Sequence, residues 1–172
     1  MVIHWQRVGF VHGVMNTDNV SIAGETIDYG PCAFMDDFSA NRVFSSIDQT
    51  GRYAFANQPR IAHWNLVQLA QALLPLLVER CGDEKEAVEQ AQLAVNAFPV
   101  HYERAYQRGL NAKLGLGEVQ EGDGELGEAL LVLMEKSRAD FTLTFRHLAE
   151  HGQEAFLQQF AGVDGADEWV CN

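Results

Sequence analysis

Lysine is missing from the front of this 172-residue chain: none precedes Lys85, so the first 84 residues offer no lysine ammonium. Cysteine is scarce too. Cys32, Cys81 and Cys171 are odd in number, widely separated and free of any C-x-x-C spacing, which argues against a disulfide framework or a zinc knot and fits a reducing cytoplasm. No run approaches the roughly 18 uncharged apolar residues of a membrane span, and the start shows no basic flank followed by a signal-like apolar stretch, so neither a membrane segment nor an export signal is expected. Positive charge is the last shortage. Twelve Lys and Arg face 24 Asp and Glu, for a net charge of -12. Residues 1–60 carry four basic against six acidic side chains, and residues 61–172 carry eight against eighteen. Such a surface argues against binding to a nucleic-acid backbone.

What is present is organised around the octet His12–Asn19, reading His-Gly-Val-Met-Asn-Thr-Asp-Asn. The apolar run Val8 to Val11 leads into it. After it come a short Val/Ile segment (Val20 to Ile22), a turn at Gly24, and a second extended piece ending in Asp28, Tyr29 and Gly30. Strand, turn and strand predict a small hairpin that aims Asn19 and Asp28 at one point in space. An amide oxygen and a carboxylate are oxygen ligands suited to Mg2+, which keeps waters and takes its remaining ligands from phosphates. Asn and Asp are also the commonest turn residues, so two side-chain-capped loops are the plainer alternative.

The rest of the chain predicts helices. Residues 2–11 fit either the end of a helix or a short buried segment. Pro59 marks entry to a helix from about Arg60 to Glu79, whose broad apolar face suggests a central place in the core, with Pro75 bending or stopping it. A second spans Asp83 to Phe98 with Asp83 as cap, and a third runs from His101 to Leu114 with Gly115 as its left-handed terminus. Gly115 to Gly124 is an acidic, glycine-rich connector. Residues 125–136 form a fourth helix, another begins at Phe141 and ends near Gly152, and a short one covers about Glu154 to Phe160. The fold class is therefore mainly α with a small β-hairpin. Residues 1–60 form a loop region with catalytic and metal-binding character, and residues 61–172 form a helical region.

The octet resembles the catalytic loop of protein-kinase-like phosphotransferases, and Asp28, Tyr29 and Gly30 resemble their Asp-Phe-Gly. His12, Gly13, Asn19 and Asp28 match, but Val14 stands where the usual catalytic Asp belongs. Valine cannot take a proton, so ordinary kinase chemistry lacks its base. The octet, the Ile-Asp-Tyr-Gly-Pro run, the segment from Gly51 to Pro59 (Gly-Arg-Tyr-x-Phe-x-Asn-Gln-Pro) and Trp64, Asn65 and Leu66 together resemble the selenoprotein O family of kinase-like protein adenylyltransferases. A weaker match runs from Glu135 to Asp140.

That resemblance implies a kinase-like carboxy-terminal lobe over residues 1–172 and transfer of AMP from ATP to Ser, Thr or Tyr hydroxyls of proteins, with release of pyrophosphate. ATP would sit flipped relative to kinases, its α phosphate facing the acceptor. Asp18 would be the proton acceptor. Asn19 and Asp28 would hold Mg2+, Asp28 also lying near the nucleotide phosphates, and Tyr29 would pack beneath them. His12 is expected to hold the loop by hydrogen bonds.

The family's amino-terminal lobe, with its phosphate-pairing Lys, has no counterpart here. The octet lies so near Met1 that the chain reads as a fragment of a larger enzyme, inactive alone, or as one whose partner supplies the remainder. The redox-active pair that ends some members is not matched by Cys171. Two other functions stay open: an atypical protein or small-molecule kinase, and a catalytically silent helical module that binds a partner protein or a second copy through an exposed apolar face.

Overall fold

The computed structural model describes residues 1–117, 120–150 and 152–170. Cys171 and two residues of the glycine-rich connector lie outside them. Seven helices are described: α1 (Val2–Arg7), α2 (Gln58–Cys81), α3 (Glu84–Leu114), α4 (Asp123–Ser137), α5 (Phe141–Glu150), α6 (Gly152–Gln158) and α7 (Ala166–Val170). Two strands, β1 (Phe10–Val11) and β2 (Ala33–Phe34), and two 3-10 turns, Thr17–Asn19 and Phe55–Asn57, complete the regular elements described. The mainly helical expectation with a small antiparallel pair holds.

The pair is not where the sequence placed it. β1 precedes the octet and β2 follows Pro31, with Phe10 opposite Phe34 and Val11 opposite Ala33. Residues 20–22 and 25–28 form no strands. The physical reason is exposure: Ile22 is 89% exposed, so the alternating Val and Ile residues have no core to cover, and strand preference is largely the benefit of a half-buried face. Gly24 does turn the chain, with its N–H on the Ser21 carbonyl at 3.1 Å and a φ of 74°.

The second departure concerns the helices. The expected pair Asp83–Phe98 and His101–Leu114 is one helix, α3, which runs through Pro99, as α2 runs through Pro75. An interior proline costs a helix about 3 kcal/mol. Each is tolerated here because α2 and α3 lie antiparallel along each other. Near the body, His63 stacks on Phe98 with centroids 5.6 Å apart, and at the far end Arg80 Nη2 donates to Gln90 Oε1 at 2.8 Å. The ends follow the sequence: the Asp83 side chain accepts the Glu86 N–H at 2.9 Å, and Gly115 is left-handed with φ 76°.

α2 is not central to the core. Its buried residues, Gln58, Ile61, Ala62 and Asn65, all lie in its first two turns. Beyond them Leu66, Leu69, Leu73 and Leu76 are exposed, as are Leu93 and Val100 on α3. The stretch Phe55–Cys81 is also long and apolar enough, by length and composition, to cross a membrane, with only 17% of its most apolar window buried. It is not an unbroken run of uncharged apolar residues: His63, Asn65, Gln68 and Gln71 interrupt it. Its first turns are nonetheless committed to polar contacts within the folded body, described below.

Two apolar clusters flank the octet. The larger joins Val11, Met35, Phe38 and Phe55 to Leu110, Leu130, Met134, Phe141 and Phe145. The smaller joins Val2, Trp5, Phe10 and Met15 to Tyr53, Ile61 and Ala62. Each large apolar side chain so buried contributes about 1.5–3 kcal/mol. Residues 36–40 are fastened to the α4–α5 corner. Phe38 N–H bonds the Ala139 carbonyl at 2.9 Å, Phe141 N–H bonds the Asp36 carbonyl at 2.7 Å, and Glu135 accepts from Ser39 Oγ and Ala40 N, each at 2.7 Å. The Glu135–Asp140 segment picked out in the sequence is thus a structural clasp.

Candidate active site

The octet begins as β1 ends. His12 is fully buried, and its ring stacks on Trp5 with centroids 5.3 Å apart and planes 28° apart. Its Nε2 lies 2.7 Å from the Ile27 carbonyl. A carbonyl can only accept, so Nε2 carries the proton and His12 holds the residue before Asp28. Trp5 Nε1 adds a second tie, donating to Thr26 Oγ1 at 2.9 Å. Gly13 supplies a third. Its φ is 89°, and a Cβ there would lie 2.9 Å from the Pro31 carbonyl oxygen, so only glycine lets the chain entering the octet pass the chain leaving Asp28 to Gly30.

The octet is held as well from α2 and the segment before it. The Gln58 side chain accepts the His12 N–H and donates to the Phe10 carbonyl, both at 3.0 Å, and is itself fully buried. Asn65 Nδ2 donates to the Met15 carbonyl at 2.9 Å. Tyr53 donates its hydroxyl proton to Asn16 Oδ1 at 2.5 Å. None of these three was picked out as functional in the sequence. A signal existed: Gln58, Ile61, Ala62 and Asn65 fall at i, i+3, i+4 and i+7, so two amides occupy the buried face of a helix, where polar groups must have partners.

Residues Thr17–Asn19 then close a 3-10 turn, with Asn19 N–H on the Asn16 carbonyl at 3.0 Å. Asn19 Nδ2 donates back to the Val14 carbonyl at 3.2 Å. That bond orients the amide, leaving Oδ1 without a protein donor among the described residues. Asp18 is exposed, and its carboxylate makes no hydrogen bond or ion pair among the described residues. Asp28 is exposed and equally unpartnered, with a φ of 54°, a left-handed conformation that Asp tolerates better than most residues.

The structure therefore fastens the segments bearing Asn19 and Asp28 to one short stretch, Asn19 through Val14 and Asp28 through His12. No hydrogen bond joins Asp18 or Asn19 to Asp28 among the described residues. Tyr29 does not pack beneath them: it is 63% exposed, and its carbonyl accepts from Cys32 Sγ at 3.2 Å.

As a cation site this donor set is thin but chemically consistent. No group of three or more His, Cys, Asp or Glu residues that could hold a metal occurs among the described residues. One amide oxygen and one carboxylate, both free of protein partners, fit Mg2+ that brings phosphate and water ligands with it. They do not fit zinc or calcium, which ask for more protein ligands. An apolar groove of about 740 Å3 lies alongside, with Thr17, Ser21, Asn65, Leu66, Phe98 and Tyr102 among its walls, and neither Asp18, Asn19 nor Asp28 lines it.

Residues 1–167 match the family described as protein adenylyltransferase SelO. The chain is 53% identical over 174 aligned positions to the protein nucleotidyltransferase YdiU of Bradyrhizobium diazoefficiens, covering 99% of this chain and 35% of that protein. It is 59% identical over 150 positions to YdiU of Methylorubrum extorquens, covering 87% of this chain and 30% of that protein. For YdiU of Geobacillus kaustophilus the figures are 58% over 148 positions, 86% and 30%. The chain thus spans about a third of the length of the curated relatives it matches. Matched to the family over residues 1–167, this chain belongs to the SelO family of protein nucleotidyltransferases.

Proposed function

We propose that this chain carries the acceptor- and metal-handling part of a protein adenylyltransferase, which transfers AMP from ATP to Ser, Thr or Tyr hydroxyls of proteins. Residues 1–60 would form its loop region and residues 61–172 its helical support, in a kinase-like carboxy-terminal lobe. One observation carries the reading: an octet with no proton acceptor at Val14 but an unpartnered carboxylate at Asp18, beside an Asn19 whose amide is turned by the Val14 carbonyl.

In this reading Asp18 takes the proton from the acceptor hydroxyl as its oxygen attacks the α phosphorus of ATP. The bond from that phosphorus to the bridging oxygen breaks, and pyrophosphate leaves with the electron pair. A carboxylate in solvent contact can accept and release that proton, which valine cannot. Asn19 Oδ1 and the Asp28 carboxylate would hold Mg2+, which when bound neutralises charge on the phosphates. His12 keeps Asp28 in register by gripping the Ile27 carbonyl. Gln58, Asn65 and Tyr53 hold the octet so that Asp18 and Asn19 are presented on a fixed turn.

The test is ATP labelled on the α phosphate, applied to this chain and to a version extended to the full length of the family. Label should appear on protein with the extended version and be lost with Asp28→Ala and Asp18→Asn. Transfer of γ label instead would overturn the proposal and return the site to kinase chemistry.

A further inference from the structure

Arg52 stands beside two aromatic rings near the octet, and its side-chain donors are unused among the described residues. Its Cζ lies 4.8 Å from the centroid of the Trp64 ring and 5.6 Å from that of Tyr53. The backbone under it is fixed. Asp48 accepts the Arg52 N–H at 2.9 Å and the Tyr53 N–H at 2.7 Å, one on each carboxylate oxygen. The nearest acid in sequence is thus occupied by backbone.

The side chain is exposed and makes no ion pair or hydrogen bond among the described residues. Contact with the ring faces leaves its five N–H donors free, so the fork can take a planar anion.

Its position gives the anion a context. Tyr53, one of the two rings beside Arg52, bonds Asn16, two residues from Asp18. That bond ties the segment carrying Arg52 to the turn carrying Asp18. Between His12 and Pro31 the charged side chains are Asp18, Glu25 and Asp28, with no Lys or Arg, so Arg52 offers positive charge at the edge of an acidic loop.

We infer that Arg52, flanked by Trp64 and Tyr53, is an acceptor-recognition subsite that binds an Asp or Glu carboxylate a few residues from the hydroxyl to be modified. This rests on the reading of the octet as the place where a protein hydroxyl is modified. It adds which acceptors are favoured: segments carrying an acid near the target hydroxyl.

The experiment needs no turnover. Serine-centred peptides with Glu three and four residues from the serine, and their Gln and Lys counterparts, are titrated into the chain while the Trp64 indole N–H is followed by NMR, assigned with Trp64→Phe. The Glu peptide should bind roughly fivefold more tightly than the Gln peptide at low salt and lose that advantage at high salt. Arg52→Gln should abolish the difference, Arg52→Glu should shift preference to the Lys peptide, and Arg52→Lys, which keeps the charge without the fork, should fall between. Equal binding of the Glu and Gln peptides, or the same preference in Arg52→Gln, would overturn the inference. So would displacement of the Glu peptide by inorganic pyrophosphate at the Trp64 signal, which would make this a nucleotide-phosphate site. Failure of α-label transfer with the peptide preference intact would remove the AMP reading and leave the subsite standing.

Discussion

Gln58 grips the backbone on both sides of Val11: Oε1 takes the His12 N–H and Nε2 donates to the Phe10 carbonyl, each at 3.0 Å. With Gln58 fully buried, neither backbone group has water as a substitute. Gln58→Leu should therefore cost about 2–4 kcal/mol, the penalty for orphaning a buried donor and a buried acceptor, read as a lower urea midpoint with an unchanged slope. Gln58→Glu has a pH signature. Its carboxylate still accepts from His12 but opposes the Phe10 carbonyl, whereas the protonated acid can donate to it. The deficit relative to the parent chain should therefore shrink as pH falls.

Tyr53→Phe removes one hydroxyl and keeps the ring within the cluster formed by Trp5, Phe10 and Met15. Global stability should fall by only about 1 kcal/mol. Local protection should fall more, because Asn16 loses the Tyr53 bond and its carbonyl supports the Asn19 N–H. Hydrogen exchange at the Asn19 amide is the measurement. Unchanged exchange there would show that the turn holds itself.

Gly127 on α4 lies against α3 so closely that a Cβ would fall 2.3 Å from Leu110 Cδ2 and 2.8 Å from Leu110 Cγ. Gly127→Ala gains helix propensity of about 1 kcal/mol but overpacks a core residue, and overpacking costs about 1–3 kcal/mol or more. The second effect should win. Pairing it with Leu110→Ala should recover part of the loss, which thermal unfolding of the single and double variants would read.

Lys113 sits over the Phe141 and Phe145 rings, 4.6 and 4.0 Å from their centroids, and donates to the Arg7 carbonyl at 2.6 Å. Burial, with the Arg7 charge adding to it, lowers its pKa to about 8. The ring faces and the carbonyl pull toward the charged form. Because the folded pKa lies below that of the unfolded chain, the unfolded state binds more proton between them. Stability should therefore rise as pH increases from about 8 toward the ordinary lysine value near 10.4, by an amount on the order of 1 kcal/mol. Lys113→Met should flatten that rise in unfolding measurements across the same range.

Local rules made much of this fold legible. Asp83 and Gly115 mark helix ends in the sequence and do so in the structure, because caps are decided within a few residues. The clustering of polar, turn-forming residues at the octet was equally visible. Contacts across long separations were not. The bend or stop expected at Pro75 and the gap expected between Phe98 and His101 are outweighed by the lengthwise pairing of α2 and α3, and the hairpin expected at Gly24 is missing because nothing covers Ile22. α7 lies beyond the last helix expected from the sequence, and its Trp169 Nε1 donates to the Leu126 carbonyl at 2.8 Å. The partners of the octet, Gln58 and Asn65, were hidden for the same reason: no local pattern says which backbone group a buried amide will meet.

Those partners also set an order of events during synthesis. His12 meets Gln58 across 46 positions and Met15 meets Asn65 across 50. At about 5–20 residues per second, the ribosome needs roughly 2–10 seconds after making the octet before the residues that hold it exist. Through that interval the buried half of the octet, including His12 and Met15, is in water or in the hands of a chaperone. The turn bearing Asp18 and Asn19 can therefore reach its final shape only after the first turns of α2 have emerged and docked.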